Sequence, residues 1–285
     1  MPASHGSALL PLDGAELIEV SGVDAIAFAQ AQFASDVAGL AVGTWQWSAW
    51  LTAQGRTRSV FALLRTAADH LLIWLPLGGA AVMREQVVRF VLRAKVQVVL
   101  RENWALARLE STVPVAATPQ ALIERDGGYA FALPGPAARV AWLGPALGAR
   151  ADSGALNAWR SLDVAAGLPW LDRATADEFV PQALGLERLD AVRFDKGCYP
   201  GQEIAARLRY RGGVKQHLHR VVLAGHGDVL PGTIVKAAAD NAGVVLYGAM
   251  ETPQRHVALA VLADAALDGP LVTAAGHSIQ TADRT

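Results

Sequence analysis

The segment Asp195–Ala224 reads DKGCYPGQEIAARLRYRGGVKQHLHRVVLA, and three kinds of local order follow one another within it. Pro200-Gly201 is a type II turn signal, because proline presets the second turn position and glycine tolerates the positive φ of the third. Ile204 and Leu208 then stand four residues apart, which predicts a helix directly after the turn. Gly212-Gly213 breaks that helix, and from His217 the pattern becomes strand-like. It stays so through TIVKAAA, GVVLYGAM, HVALAVLA and LVTAAGHSI, which are separated by Gly, Pro, Asp and Asn. Five or six short strands predict a small all-β barrel or sandwich, with a domain boundary at the glycine pair dividing residues 1–212 from 213–285.

Upstream the texture is mixed. LIEVSGVDAIAFAQAQF reads as a strand and then a helix capped by Ser21, with Asp24 in its first turn. In TWQWSAWLTAQGRTRSVFALLR, the Trp45/Trp47 alternation and Gln54-Gly55 predict a β-hairpin. HLLIWLP is a third strand, residues 77–93 an amphipathic helix, and KVQVVLRENWALARLE two more strands. Thr118 is placed to cap a short helix before two further strands, and Ser153 to cap a helix that carries Trp159 and ends at Gly167. Strands and helices without regular βαβ alternation give an α+β class.

Composition narrows the function. With 285 residues, 52% of them hydrophobic and 18% charged, the chain has ample material for a buried core. Its net charge of -1 provides no global attraction to nucleic acid or anionic lipid, so direct nucleic-acid binding is not expected. One cysteine can form no internal disulfide and no Cys-rich metal site, and no metal-ligand set is expected. That usage fits a reducing cytoplasm, and neither a signal peptide nor a membrane span is read from the sequence.

The lone Cys198 therefore stands out. Helix N-termini and cationic neighbours favour thiolate over thiol, and Lys196 lies two residues away, while Arg207 and Arg211 share a face of the predicted helix. This context points to a reactive or metal-coordinating sulfur; the alternative is a buried, inert cysteine. Residues 188–220 hold eight Lys/Arg against three Asp/Glu. That patch reads either as a site for a carboxylate, phosphate or polyanion, or as a solvated face with its own pairs such as Glu203 with Arg207. His217 and His219 fall on one face of a strand and read as its surface. No phosphate-binding loop, dinucleotide fingerprint, nucleophile elbow or zinc-protease motif is present.

The block KGCYPGQE, Lys196–Glu203, resembles the K-G-C-[FY]-x-G-Q-E signature of the YgfZ family of folate-binding proteins. VSGVDAIAFAQAQFASDV, LTAQGRTRSVFALL, WRSLDVAAGLPWL and FVPQALGLERLDAVRFDKGCY are similar to further family segments, so the likeness covers most of residues 17–220. It implies a fold like the tetrahydrofolate-dependent aminomethyltransferase of the glycine cleavage system: a two-lobed α+β part around a central cavity, followed by an antiparallel β-barrel. It also implies folate (tetrahydrofolate or a derivative) as cofactor. Implied partners are iron-sulfur client proteins such as a tRNA methylthiotransferase. The role implied is an accessory one, in assembly or repair of iron-sulfur proteins and in tRNA thiomodification. By this resemblance Cys198 is the functional thiol, with Lys196 as its cationic neighbour. Trp159, Tyr199, Gln202, Glu203 and Arg207 are the expected folate-site residues. A second folate-contacting tryptophan of the family falls near Ala15, where this chain has none; Trp45, Trp47 or Trp170 stand as replacements. The alternative is a tetrahydrofolate-dependent one-carbon or aminomethyl transferase, but its hairpin carboxylate is replaced here by Arg58 and Ser59.

Overall fold

The computed structural model describes residues 8–12, 16–110, 120–148 and 151–285. In chain order it runs β1 (Ala8–Leu12), β2 (Glu16–Ser21), α1 (Ala25–Gln32), β3 (Thr44–Leu51), β4 (Thr57–Ala67), β5 (His70–Leu75), α2 (Ala80–Val88) and β6 (Gln97–Leu100). There follow β7 (Trp104–Glu110), β8 (Ile123–Arg125), β9 (Gly128–Leu133), β10 (Arg139–Pro145), α3 (Ser153–Ala165) and α4 (Gln202–Arg211). The last six strands are β11 (Gln216–Ala224), β12 (Ile234–Ala237), β13 (Asp240–Thr252), β14 (Arg255–Ala263), β15 (Leu271–Thr273) and β16 (Ser278–Arg284).

Two five-stranded antiparallel sheets, ordered β3-β4-β5-β2-β6 and β1-β7-β10-β9-β8, make two lobes. The first sheet is covered on both faces, which is why β4 and β5 are nearly continuous apolar runs. Phe61, Leu63, Leu71 and Ile73 pack with Phe28, Phe33, Met83 and Val87 on one face. Ala62, Leu64, Leu72 and Trp74 face the other way, into the core shared with the second sheet and the barrel. Edge strand β3 is joined to the second lobe by Trp45 N–H donating to Gln120 O (2.9 Å) and Leu122 N–H to Gly43 O (2.8 Å).

Strands β11-β14-β13-β12-β15-β16 close into a barrel, so no long sheet edge is left open. Its interior holds Val221, Leu223, Val235, Val245, Ala258, Ala260 and Leu262. The barrel expected from the turn spacing is therefore present.

Local details depart from expectation. Asp24, not Ser21, precedes α1, and its carboxylate accepts from Lys95 N–H (2.7 Å) across a loop. Asp152, not Ser153, caps α3 by accepting from Gly154 N–H (2.9 Å). The second helix stops at Val88, well before residue 93. Strand β1 had no signal in the sequence, and three strands stand where two were expected between residues 120 and 148. His219 is buried and not on a strand surface. Thr118 and Ala15 lie outside the described residues.

Candidate functional site

Cys198 is exposed, which removes the alternative of a sealed, inert sulfur. Its loop is gripped from two sides. On one side the Lys196 ammonium donates to Gln30 O (2.7 Å), Phe33 O (2.6 Å) and Ser35 O (2.6 Å), at and just past the C-terminus of α1. An ammonium has three N–H donors and all three are used. The C-terminal end of a helix carries partial negative charge, so a cation is at home there. Burial pulls the Lys196 group down to about 8, with Asp36 opposing, so it remains protonated at neutral pH. The contacts that the Lys196 ammonium makes are with these carbonyls, so the structure gives it the anchoring of the loop to α1.

On the other side the Pro200-Gly201 turn docks on the β3–β4 hairpin. Gln202 N–H donates to Tyr199 O (3.2 Å) and Gly201 has φ 77°, as a type II turn requires. A Cβ on Gly201 would lie 2.3 Å from Thr52 O and 2.8 Å from Gly55 Cα. Gly201→Ala is expected to cost about 2–4 kcal/mol in urea unfolding, from left-handed strain of about 1–2 kcal/mol plus overpacking. A loss below about 0.5 kcal/mol would mean that the two turns do not depend on each other.

The segment leading to the thiol is equally tied down. Gln182 donates from Nε2 to Ala205 O of α4 (2.8 Å), and Arg193 pairs with Asp195 through two bonds of 3.0 and 2.8 Å. Gln202 donates to Lys196 O (3.4 Å). Tyr199 is buried beneath the Lys196 ammonium, 5.2 Å from its ring centroid. Burial, with Glu187 nearby, raises its phenol above the usual range. Glu203 and Arg207 are exposed, and the expected pair between them is not formed; Arg209 binds Glu187 instead (3.2 Å).

A cavity of about 680 Å³ opens between the lobes, lined by Leu40, Trp45, Gln46, Trp47, Leu133, Pro134 and Arg188 among others. Trp45 and Trp47 meet edge to face, with ring centroids 4.6 Å apart, and are backed by Phe131 and Trp170 at 5.1 Å each. Trp45 is 4% exposed, and its indole N–H has no hydrogen-bond partner. None of Trp159, Tyr199, Gln202, Glu203 and Arg207 lines this cavity. Trp159 is 3% exposed and sits behind the wall, where Arg139 covers its ring at 4.9 Å and donates to Pro134 O (3.2 Å). The alternating tryptophans of β3 were the sequence signal for this aromatic wall, and Arg188 belonged to the 188–220 basic patch; Gln46 carried no signal.

The geometry can be set beside known proteins. A tRNA-modifying protein YgfZ of Edwardsiella ictaluri is 30% identical over 243 residues, spanning 78% of this chain and 72% of that one. The chain belongs to the YgfZ family. Another member, from Sodalis glossinidius, is 29% identical over 249 residues, 77% of this chain and 73% of that protein. No family model matches the sequence. The crystal structure of glycine cleavage system aminomethyltransferase T from Bartonella henselae superposes with a TM-score of 0.74 at 16% identity, covering 97% of this chain and 84% of that one. The chain therefore has the aminomethyltransferase fold, with a six-stranded barrel after two lobes. Among the described residues no helix is long and apolar enough to cross a membrane.

Proposed function

We propose that this YgfZ protein is a cytoplasmic folate-binding accessory factor for the assembly or repair of iron-sulfur proteins, supporting tRNA thiomodification through Cys198. Residues 1–212 form the folate-binding part and 213–285 a barrel domain. The observations that carry the reading are an aromatic-walled cavity of about 680 Å³ and, outside its lining, an exposed thiol on a loop held from both sides. That volume falls within the range of small-molecule sites, and indole walls suit a flat pterin or aminobenzoyl ring. The residues fit a folate in a second respect: the Trp45 N–H is a buried donor lacking an acceptor, which a pterin or amide oxygen would supply. Arg188, at the cavity edge, is a cation for a glutamate tail. Trp159 supports this wall from behind. A reduced folate can carry a one-carbon unit.

The transferase alternative needs a free carboxylate at the hairpin. At the hairpin this chain has Arg58 and Ser59, and Asp177, which comes from a different segment, lies 3.2 Å from the Arg58 guanidinium, which also sits 4.8 Å over Trp50. Titration with tetrahydrofolate followed by tryptophan fluorescence tests the cofactor. Wild type is expected to be quenched, and Trp45→Phe, which keeps a ring and removes the N–H, to bind up to about tenfold more weakly. No quenching in wild type would sink the folate reading. In cells, Cys198→Ser is expected to lower the activity of an iron-sulfur methylthiotransferase while leaving the protein folded. Folate-linked product formed from an aminomethyl donor by the purified protein would favour the transferase.

A further inference from the structure

The cavity and the thiol loop share one turn of chain. Gln46, which lines the cavity, donates from Nε2 to Ser35 Oγ (2.9 Å) and Asp36 O (3.1 Å). Ser35 Oγ donates to Ser48 Oγ (2.7 Å), and both serines are fully buried. Ser35 O is in turn one of the three carbonyls that hold the Lys196 ammonium. The turn is braced by Gln30, whose side chain donates to Asp36 Oδ1 (3.0 Å) and accepts from Val37 N–H (2.7 Å). The path from cavity wall to cysteine motif is thus Gln46, Ser35, Lys196, with no gap between bonded partners. Beside Gln46 on β3 stands Trp45, whose buried N–H lacks a partner, as do those of Trp74, Trp159 and Trp170, and which alone of these four lines the cavity.

We infer that Ser35 and Gln46 are positioning residues through which occupancy of the cavity sets how firmly the Cys198 loop is held. The inference rests on the cavity reading above. A ligand that fills the cavity bears on edge strand β3, whose Gln46 also lines the cavity but sends its amide to the sheet face opposite Trp45 and Trp47, onto the 33–36 turn, and the turn presents its carbonyls to Lys196. The element with two arrangements is the loop itself, either docked on these carbonyls or released from them, and a ligand acts by favouring the docked form. The thiol is then offered to partners differently according to what the cavity holds.

The rate at which Cys198 reacts with an aromatic disulfide reagent, read by absorbance, reports loop release, since this is the chain's sole thiol. Without any ligand, Ser35→Ala and Gln46→Leu are each expected to raise that rate at least threefold, with circular dichroism unchanged. Wild-type rates in both folded variants would overturn the inference. In wild type, saturating tetrahydrofolate is expected to slow the reaction at least threefold; an unchanged or faster rate in the presence of bound folate would also overturn it. Fluorescence quenching in the same samples separates the two questions. Absence of quenching counts against the folate reading, while the ligand-free variants still decide the coupling.

Discussion

Lys196→Met is expected to lower the unfolding free energy by about 3 kcal/mol and to free the cysteine loop. Methionine keeps an unbranched stem that can still cover the Tyr199 ring, so what is removed is mainly the charge and its three donors. Three carbonyls, of Gln30, Phe33 and Ser35, then lose a partner at 2.6–2.7 Å. An unmade bond to a buried acceptor costs about 1–3 kcal/mol. The site is only half-buried, so water recovers part of this, and a total of about 2–4 kcal/mol follows. Arginine is no remedy. Its donors lie in a rigid plane, whereas these acceptors converge on one point, and Lys196→Arg should remain at least about 1 kcal/mol below wild type. Urea unfolding decides the matter: a loss under about 1 kcal/mol for the methionine variant would mean that the three contacts do not hold the loop.

The same residue illustrates what could be read from the sequence. The turn, the helix after it and the proximity of Lys196 to Cys198 are local features, fixed by Pro200-Gly201 and the spacing of Ile204 and Leu208, and they were legible. The partners of Lys196 lie more than 160 positions away, at the end of α1. Nothing in the periodicity of α1 marks its last carbonyls as acceptors for a distant ammonium. The barrel was legible from its short turns and its run of short strands, although only three of its six strand pairs, β12-β13, β13-β14 and β15-β16, join consecutive strands. The cavity was half legible. A Trp-x-Trp alternation announces two indoles on one strand face, but which lobe faces them depends on the docking of Gly43 and Trp45 against Gln120 and Leu122, a tertiary contact. Trp159 was named as a site residue by family likeness; in the structure it is buried under Arg139, which also donates to Pro134 O in the cavity wall. The Glu203–Arg207 pair, offered as part of the solvated-face reading, is not formed because helical spacing permits a contact without selecting it, and an exposed pair is worth only a few tenths of a kcal/mol.

The second large effect is expected at Asp163, on α3. Its carboxylate meets Arg139 of β10 at 2.6 Å, with the two side chains 3% and 2% exposed. Burial raises the Asp163 carboxyl, and the arginine opposes that rise. Asp163→Ala leaves a guanidinium buried without its counter-charge, a change that typically costs about 3–5 kcal/mol. The loss should exceed that of Lys196→Met, because far less water reaches this position. The paired replacement Arg139→Met with Asp163→Leu should recover most of it, since apolar groups of similar volume often replace buried ion pairs with little loss. Function is expected to part from stability here. Arg139 also donates to Pro134 O, in the cavity wall, and covers the Trp159 ring, contacts that the methionine cannot make. The double variant should therefore fold nearly as well as wild type yet bind tetrahydrofolate about tenfold more weakly, equivalent to about 1.4 kcal/mol. If it regains stability and full affinity together, the ion pair serves packing alone and Trp159 has no part in shaping the wall.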